Sequence, residues 1–409
     1  MKKKLLSLAA AAALLISCLS GCNDAGVRSY SGTTDSSVTS AVTSDSETSS
    51  SATTSGDASV SETPTLDYDA AYAKYNPDDV VMTINGEDVK WSEFFYWLYS
   101  NVSSSESELG TIDWSAENSS VSGMTNQEYF IANSEFLAKQ YRAIEVNAAK
   151  LGVELTDEDE EYLEQMWQDE VDTYGDGDEE YFIEYLESLY LSKDMDDYFN
   201  RVSLMYSKAF EAIYGENGSG LSDEDTISYA EDAGYMHIKH ILIKTVDDDG
   251  ESISDEEKAE KKTIAEGLLT QLQAVADDHD ALVELFDQLC TENTEDEGIS
   301  YYPDGYVFTE GQMVEEFEEA SESLEEYQLS DLVETQYGYH ILIKLPLSPD
   351  DIVEYYSDGQ AYDLRYLAAW NMYTATVESW FDEAEIVYSD EFKDLDLSQV
   401  FDTYVTTAE

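Results

Sequence analysis

Two short segments decide the fold of this chain: Lys239-His240-Ile241-Leu242-Ile243-Lys244 and Gly338-Tyr339-His340-Ile341-Leu342-Ile343-Lys344. Each places one histidine at the head of an apolar run rich in β-branched residues, a pattern typical of a buried strand. Two helical patterns and a glycine-containing loop lie between them. We therefore predict two buried strands of one sheet, each with an imidazole facing one end of that sheet.

A third motif precedes the closing strand: Gly311-Gln312-Met313-Val314-Glu315-Glu316-Phe317-Glu318-Glu319-Ala320. Taken in order, the three motifs resemble the parvulin family of peptidyl-prolyl cis-trans isomerases. That family's domain opens on a His-Ile-Leu strand, carries Gly-Gln-Met-Val-x-x-Phe-Glu-x-Ala and closes on a Gly-Tyr-His-Ile-Ile strand. The resemblance covers residues 235–345. It implies an α+β fold, with a small, mainly antiparallel sheet flanked by helices, and an isomerase that uses no cofactor.

The resemblance also implies which residues form the site. His240 and His340 match the two histidines that lie back to back on neighbouring strands, and Thr335 matches the hydroxyl that bonds this pair. Asp296 matches the position where the family carries Asp or Cys facing the rotating carbonyl. The proline pocket is matched by a last group of residues: Met313, Phe317, Phe308 and Gln312.

Each of these residues has a structural alternative. A histidine at the head of a buried strand is commonly a satisfied structural residue, so we rank tuning of the hydrogen-bond network above direct proton transfer. Met313 and Phe317, four positions apart on a short helix, also suit an ordinary core. Asp296 lies in the acidic run Glu292–Glu297, where a carboxylate can simply face solvent. We interpret the remaining candidates as packing or incidental residues: Cys290, His237 and His279.

The chain departs from the family pattern near the site. The family's Gly-Gly-Asp-Leu-Gly is Tyr302-Pro303-Asp304-Gly305-Tyr306 here, which loses the leucine that walls the proline pocket. The family's Gly-Glu turn is Tyr327-Gln328. The loop Thr245–Glu257 is acidic and has no arginine, so we do not expect a preference for phosphorylated residues before proline.

The chain begins with Lys2-Lys3-Lys4, an apolar stretch from Leu5 to Leu19, and then Leu19-Ser20-Gly21-Cys22. This order resembles a bacterial lipoprotein signal peptide. It implies that the signal covers residues 1–22, that cleavage occurs before Cys22, and that Cys22 carries a lipid at the outer face of the cell membrane. Leu15-Ile16-Ser17-Cys18 is a weaker cleavage site. A membrane-spanning helix needs about 20 apolar residues, so this stretch is too short to be one.

Composition then separates a tether from a helical region. Residues 23–66 are rich in Ser, Thr, Asp and Ala with hardly an aromatic side chain, which predicts a disordered tether. Residues 67–234 predict a mostly helical domain whose folded part begins at Asp79, with a strand, an Asn-Gly turn and a long helix capped by Thr125 and Glu128. This opening resembles the chaperone region of foldases of the SurA and PrsA type.

The C-terminal segment, residues 346–409, predicts a helix from about Ala361 to Phe381 and a strand at Glu385–Tyr388. In foldases of that type such a strand returns to complete the N-terminal domain. We therefore expect the parvulin domain to be inserted into a discontinuous, chaperone-like domain.

The net charge of −70, from 90 acidic and 20 basic residues, argues against nucleic acid as a partner, because phosphate binding needs clustered Lys and Arg. No loop shows the Asp, Asn and Gly alternation of a calcium-binding hand. After signal cleavage and lipidation, 4 histidines and the single thiol of Cys290 suit neither a zinc site nor a disulfide. We expect no metal and no cofactor. The expected partners are unfolded or newly secreted proteins with X-Pro bonds, with the membrane contacted through the lipid alone.

Two functions follow from these observations. One is an extracytoplasmic isomerase that assists the folding of secreted proteins, favoured by the matched site residues. The other is a holdase chaperone with a weak or inactive parvulin domain, favoured by the changed loop at residues 302–306. A solute-binding lipoprotein would need two lobes of alternating strands and helices, and the chain lacks that alternation.

Overall fold

The computed structural model of the protein describes residues 64–247, 249–355 and 361–405. The predicted signal peptide, the lipidation site Cys22 and residues 23–63 of the predicted tether lie outside the described residues. The helices are α1 (Tyr68–Tyr72), α2 (Trp91–Leu109), α3 (Asn126–Lys150), α4 (Asp157–Tyr174), α5 (Glu179–Glu187), α6 (Lys193–Tyr214), α7 (Asp223–Asp232), α8 (Asp255–Gln273), α9 (His279–Asn293), α10 (Glu315–Glu322), α11 (Leu364–Asp382) and α12 (Leu397–Val400). The strands are β1 (Thr65–Leu66), β2 (Val80–Ile84), β3 (Glu87–Lys90), β4 (Met236–Lys244), β5 (Tyr306–Phe308), β6 (Val333–Glu334), β7 (Gly338–Leu345), β8 (Ile352–Tyr355), β9 (Ala361–Asp363), β10 (Ile386–Tyr388) and β11 (Tyr404–Val405).

The described chain forms two compact units. One holds the residues up to Ile213 together with those from Tyr373 onward, and the other runs from Tyr214 to Met372. The first unit is therefore discontinuous in sequence. Across the described ranges, no helix has both the length and the apolar character that crossing a membrane requires.

In the first unit, mostly helices surround a three-stranded antiparallel sheet of order β10-β2-β3. The β2–β3 turn uses Asn85 and Gly86, whose φ angles of 54° and 91° are those an Asn-Gly hairpin needs. At the start of α3, Glu128 N–H donates to Thr125 Oγ1 and the Glu128 carboxylate accepts from Thr125 N–H at 2.7 Å. The predicted hairpin and capping box are confirmed.

The fold begins earlier than the expected Asp79. Thr65 and Leu66, which the composition assigned to the tether, pair antiparallel with Val405 and Tyr404. Leu66 is buried, and Asp67 caps α1 by accepting from Ala70 N–H. The prediction was wrong here because a two-residue strand has no periodicity of its own and depends on a partner at the far end of the chain.

The second unit contains a four-stranded, wholly antiparallel sheet of order β5-β4-β7-β6. Side chains alternate between its two faces. One face buries Ile241, Ile243, Ile341 and Ile343 against α8 and α9. The other face carries both histidines and packs against α10. The predicted α+β fold, with its small antiparallel sheet and helical N-terminal region, is confirmed.

The region after the sheet also differs from the prediction. The expected helix from about Ala361 begins at Leu364, because Ala361–Asp363 instead pair with Ile352–Tyr355 as the hairpin β8–β9. Asp363 ends the strand and caps the helix by accepting from Tyr366 N–H at 2.8 Å. The capping aspartate was a readable signal for the later start, and the short strands were not.

Candidate active site

The two histidines meet through the register of β4 and β7. His240 lies opposite Leu342, and His340 lies opposite Leu242, so the histidines are diagonal neighbours on one face. Their Nδ1 atoms are 3.1 Å apart, and the rings stack with centroids separated by 5.3 Å. Both side chains are buried. The back-to-back pair that the resemblance implied is thus present in the geometry.

Thr335 and Asp296 continue this contact at its two ends. Thr335 Oγ1 lies 2.9 Å from His340 Nε2, and Asp296 Oδ2 lies 3.0 Å from His240 Nε2. Four side chains from separate parts of the unit therefore form one row: Thr335, His340, His240 and Asp296.

Backbone contacts hold both ends of the row. Thr335 sits in the β6–β7 turn, where its N–H donates to Gly338 O at 2.9 Å. The segment before Asp296 runs along β4, because Leu242 N–H donates to Thr294 Oγ1 and Glu295 N–H donates to Leu242 O at 2.8 Å. These contacts with the C-terminal part of β4 bring Asp296 to His240.

Asp296 accepts three hydrogen bonds. Oδ2 accepts from His240 Nε2 and from the Tyr306 hydroxyl at 2.6 Å, and Oδ1 accepts from Gly298 N–H at 3.1 Å. Burial alone would raise the pKa of this carboxyl, but the hydrogen bonds and the nearby His240 outweigh burial and lower its pKa to about 2. Asp296 is therefore a fixed carboxylate at neutral pH.

His340 is held uncharged. Burial, and then the proximity of His240, lower the pKa of its imidazole to about 3, against a smaller opposing effect of Asp296. The 3.1 Å contact between the two Nδ1 atoms holds a single proton, since two N–H groups would clash and two lone pairs would repel.

These constraints determine which atom donates and which accepts in each hydrogen bond of the row when the histidine pair carries no charge. His240 Nε2–H donates to the Asp296 carboxylate, so His240 Nδ1 accepts from His340 Nδ1–H. His340 Nε2 then accepts from the Thr335 hydroxyl. Tyr337 N–H donates to Thr335 Oγ1 at 3.1 Å, which leaves the hydroxyl proton of Thr335 available for His340.

An apolar cluster lies beside the row. The Phe317 ring meets the His240 and His340 rings edge-on, with centroids at 5.3 and 5.5 Å, and its centroid lies 5.9 Å from that of Phe308. Phe308 and Phe317 are buried, while Met313 is half-buried and packs against the same cluster. The structure thus brings these three predicted pocket residues together.

Gln312 has a different local environment. Its Oε1 accepts from Thr309 N–H at 2.7 Å, so the side chain closes the turn between β5 and α10. Met313 N–H donates to the Glu318 carboxylate at 2.7 Å, which orients the start of α10. In the structure, Gln312 supports the loop that carries Met313.

Tyr306 is the site residue that sequence reasoning missed. It lies opposite Ile238 on β5, so it shares a face with His240 and Phe308. Its hydroxyl reaches Asp296, and its ring meets the His240 ring at a centroid distance of 5.5 Å. The period of two along β5 was a readable signal, because it places Tyr306 on the same face as the matched Phe308.

Three residues interpreted as packing or incidental are not part of the row, although the Cys290 thiol donates to the His240 backbone carbonyl at 3.3 Å. Cys290 is buried in α9, and burial raises the pKa of its thiol to about 11. His279 is exposed and stacks on Tyr327. His237, on the opposite face of β4 from His240, contacts Asp304 O at 2.8 Å and Asp351 Oδ2 at 3.1 Å. In the part of the chain that the structure describes, no group of three or more His, Cys, Asp or Glu side chains is arranged to hold a metal ion.

Comparisons with known proteins bear on the same region. The Rotamase family model, a PPIC-type PPIase domain, matches residues 240–345. No curated protein matches the chain. The solved peptidylprolyl isomerase PrsA from Bacillus cereus is 20% identical, with 66% of this chain and 86% of that chain covered and a TM-score of 0.23. PrsA from Bacillus subtilis is 22% identical, with 72% and 100% covered and a TM-score of 0.22. A peptidyl-prolyl isomerase from Candida albicans is 24% identical, with 36% and 75% covered and a TM-score of 0.21.

The segment matched by the family model contains the candidate site. That segment begins at His240 and ends at Leu345, and it contains the whole row as well as the apolar cluster around Phe317. The predicted parvulin domain is confirmed. Residues 240–345 belong to the PPIC-type peptidyl-prolyl isomerase family, and the chain carries a peptidyl-prolyl cis-trans isomerase domain of the parvulin type.

Proposed function

We propose that this protein is a lipid-anchored, extracytoplasmic peptidyl-prolyl cis-trans isomerase that assists the folding of secreted proteins. One observation carries the proposal: the row from Thr335 to Asp296 lies beside the apolar cluster of Phe317 within the family-matched segment.

The reaction needs no bond to be made or broken. Rotation about a peptide bond is slow because it breaks amide resonance, with a barrier of about 18–20 kcal/mol. A catalyst lowers this barrier by binding the twisted amide better than either planar form. That requires an apolar surface for the pyrrolidine ring and fixed polar groups near the carbonyl.

We assign these tasks to the described residues. Met313 and Phe317 bind the proline ring, with Phe308 behind Phe317. Asp296 supplies a fixed negative charge beside the rotating carbonyl. His240 holds that charge in place by donating from Nε2, and the proton that it shares with His340 keeps it in that tautomer. The role of the histidines is therefore to orient the site rather than to transfer protons to the substrate.

The proposed partners are unfolded, newly secreted chains with X-Pro bonds. The N-terminal Lys2-Lys3-Lys4, the apolar stretch after it and the lipobox at Cys22 support secretion and lipid anchoring. A net charge of −70 opposes direct contact with anionic lipid headgroups, which supports attachment through the lipid alone.

Turnover is tested on unphosphorylated X-Pro peptides with a chain that begins at Pro64, since Thr65 and Leu66 belong to the fold. Asp296→Asn and His340→Gln should each lower kcat/KM by about tenfold or more. The exposed Asp280→Asn and His279→Gln provide matched controls and should keep wild-type rates. Equal rates in site and control variants would place the activity elsewhere.

Anchoring is tested separately by expressing the full chain in a bacterium with a lipoprotein pathway. Cys22→Ser should abolish the lipid on the N-terminal peptide, seen by mass spectrometry, and release the protein from the membrane fraction. Cys18→Ser is the matched control and should remain lipidated. Lipid retained in Cys22→Ser would contradict the assigned site.

A second candidate function is a holdase chaperone with little catalysis. It is favoured by the three hydrogen bonds that Asp296 accepts, because a carboxylate so fully bonded has less capacity to interact with a substrate. Suppressed aggregation of an unfolded client, together with no peptide isomerisation, would support this function over the first.

A further inference from the structure

The segment that departs from the family pattern places a tyrosine against the site carboxylate. The Tyr306 hydroxyl donates to Asp296 Oδ2 at 2.6 Å, a length typical of a charge-assisted hydrogen bond. The same oxygen lies 3.0 Å from His240 Nε2. The position that carries Tyr306 corresponds to the last glycine of the family's Gly-Gly-Asp-Leu-Gly, so this contact belongs to the present chain and not to the pattern it resembles.

Space for the hydroxyl is provided by a glycine on another segment. A Cβ added at Gly298 would lie 2.0 Å from the Tyr306 hydroxyl oxygen, a distance no real contact allows. Gly298 N–H also donates to Asp296 Oδ1 at 3.1 Å. A large residue at 306 and a residue without a side chain at 298 are therefore complementary, and both bond the same carboxylate.

The other ionisable groups around Asp296 do not replace this contact. Cys290, on α9, has its thiol pKa raised to about 11 by burial and is neutral near pH 7. His340, on β7, has its pKa lowered to about 3, mainly by burial, and is also neutral. Neither Cys290 nor His340 bonds the Asp296 carboxylate in the structure, whereas the side chains of His240 and Tyr306 do.

Without the tyrosine, the Asp296 side chain would keep one bond to each of Gly298 and His240. Oδ2 would then be held by the histidine alone, and the carboxylate could rotate away from the ring. Without this acceptor, no hydrogen bond favours the tautomer of His240 that is protonated at Nε2. The tautomer of His240 in turn determines which of the two Nδ1 atoms, that of His240 or that of His340, carries the proton between them.

We propose that Tyr306 is a positioning residue of the isomerase site, whose hydroxyl holds Asp296 Oδ2 on His240 Nε2 and thereby keeps the proton arrangement of the His240–His340 pair. This inference rests on the isomerase function for its kinetic readout. Tyr306 acts through Asp296.

The experiment compares Tyr306→Phe with Tyr301→Phe, a matched loss of a hydroxyl from an exposed residue shortly before β5. Tyr306→Phe should lower kcat about tenfold with KM changed less than twofold, as expected for one lost orienting hydrogen bond. In ¹⁵N spectra of the histidine rings near pH 7, the wild-type protein should show His240 protonated at Nε2, and Tyr306→Phe should show a mixture of tautomers. Tyr301→Phe should change neither quantity.

A second route removes the contact while keeping the tyrosine. Gly298→Ala should displace the hydroxyl and reproduce both effects, and the double variant should be no slower than either single variant. Unchanged His240 ring shifts in Tyr306→Phe, or effects that multiply in the double variant, would overturn the inference. If the wild-type protein shows no turnover, the proposed function fails, while the ring spectra still decide the role of Tyr306.

Discussion

The Nδ1 atoms of His240 and His340 lie 3.1 Å apart, although the two residues are not opposite each other in the sheet. Their contact is diagonal across β4 and β7, and it joins positions one hundred residues apart in the chain. Because a single proton occupies the contact, the protonation of one ring sets the role of the other. The two histidines are therefore coupled, and their protonation depends on the partners at the two ends of the row, Thr335 and Asp296.

Thr335→Val should remove the hydrogen bond at the His340 end of the row. Valine matches the shape of threonine without its hydroxyl, so buried His340 Nε2 loses its partner. We expect a loss of about 1–3 kcal/mol in the free energy of unfolding, the usual cost of an unsatisfied buried polar group, and slower isomerisation. Urea titration and the peptide assay measure these effects. Thr335→Ser should retain wild-type behaviour, and a Thr335→Val variant as stable and active as wild type would contradict the assigned contact.

Met313 and Phe317, the two residues proposed to bind the proline ring, differ in burial, so their truncation should have different effects. Phe317 is 4% exposed and packs against both histidines, so Phe317→Ala should cost about 3–5 kcal/mol of folding stability in addition to activity. Met313 is half-buried. Met313→Ala should therefore raise KM for X-Pro peptides with a smaller loss of stability.

Thermal unfolding and steady-state kinetics on the same samples distinguish these effects. Phe317→Leu, which preserves most of the buried volume, is the control for the larger cavity. A Met313→Ala variant with unchanged KM would remove Met313 from the pocket.

The free energy of unfolding should decrease as the pH is lowered, because buried His340 resists protonation in the folded state. Its pKa is lowered from 6.5 to about 3, chiefly by burial, so between these values the unfolded chain binds a proton that the folded chain does not. The free energy of unfolding should thus decrease as pH falls below about 6.5, with a contribution approaching about 1.4 kcal/mol per pH unit. Asp296, whose pKa is lowered to about 2, keeps its contribution until more acidic pH. Urea titrations at pH 7 and pH 5 should show a smaller pH effect for His340→Gln than for wild type, and equal effects would refute the assignment.

A carboxyl pair in the first unit predicts the opposite pH dependence. Burial, followed by repulsion from Asp196, raises the pKa of Glu170 to about 7, so its stabilising protonated form is lost as pH rises through that value. Glu170→Gln should therefore be more stable than wild type at pH 8, by about 1 kcal/mol after allowing for partial exposure, and nearly equal to it at pH 5. Melting temperatures at the two pH values test this. Glu164→Gln, an exposed change on the same helix, should have no pH-dependent effect, and a Glu170→Gln variant that gains nothing at pH 8 would exclude the repulsion.

The features that were predictable are those with a local signal. The strands around His240 and His340 are continuous apolar runs rich in β-branched residues, and α3 is preceded by its capping residue Thr125 and followed closely by Gly152 in the sequence. The family motif at Gly311–Ala320 placed Met313 and Phe317, the proposed pocket residues, by position. The register that brings the histidines together was implied by the resemblance, since two strands a hundred residues apart carry no local information on their pairing.

Other features depend on contacts between distant segments. Residues 65–66 become a strand only against residues 404–405, and β8 and β9 are short strands that stabilise each other. Tyr306 joins the site only because Gly298, on another segment, leaves room for its hydroxyl. The alternation along β5 indicates the face on which Tyr306 lies, but no local pattern indicates its contact with Asp296.

The sequence by itself thus determined the parvulin domain, its buried strands and the identity of the four residues in the row, because apolar runs and ordered motifs are properties of consecutive residues. Only the tertiary structure decided how the carboxylate of Asp296 is bonded, which residues start the fold and what Gln312 does. The hydrogen bonds that Asp296 accepts from His240 and Tyr306, at 3.0 and 2.6 Å, depend on side chains from separate segments meeting in space, and the packing of the whole unit sets that meeting.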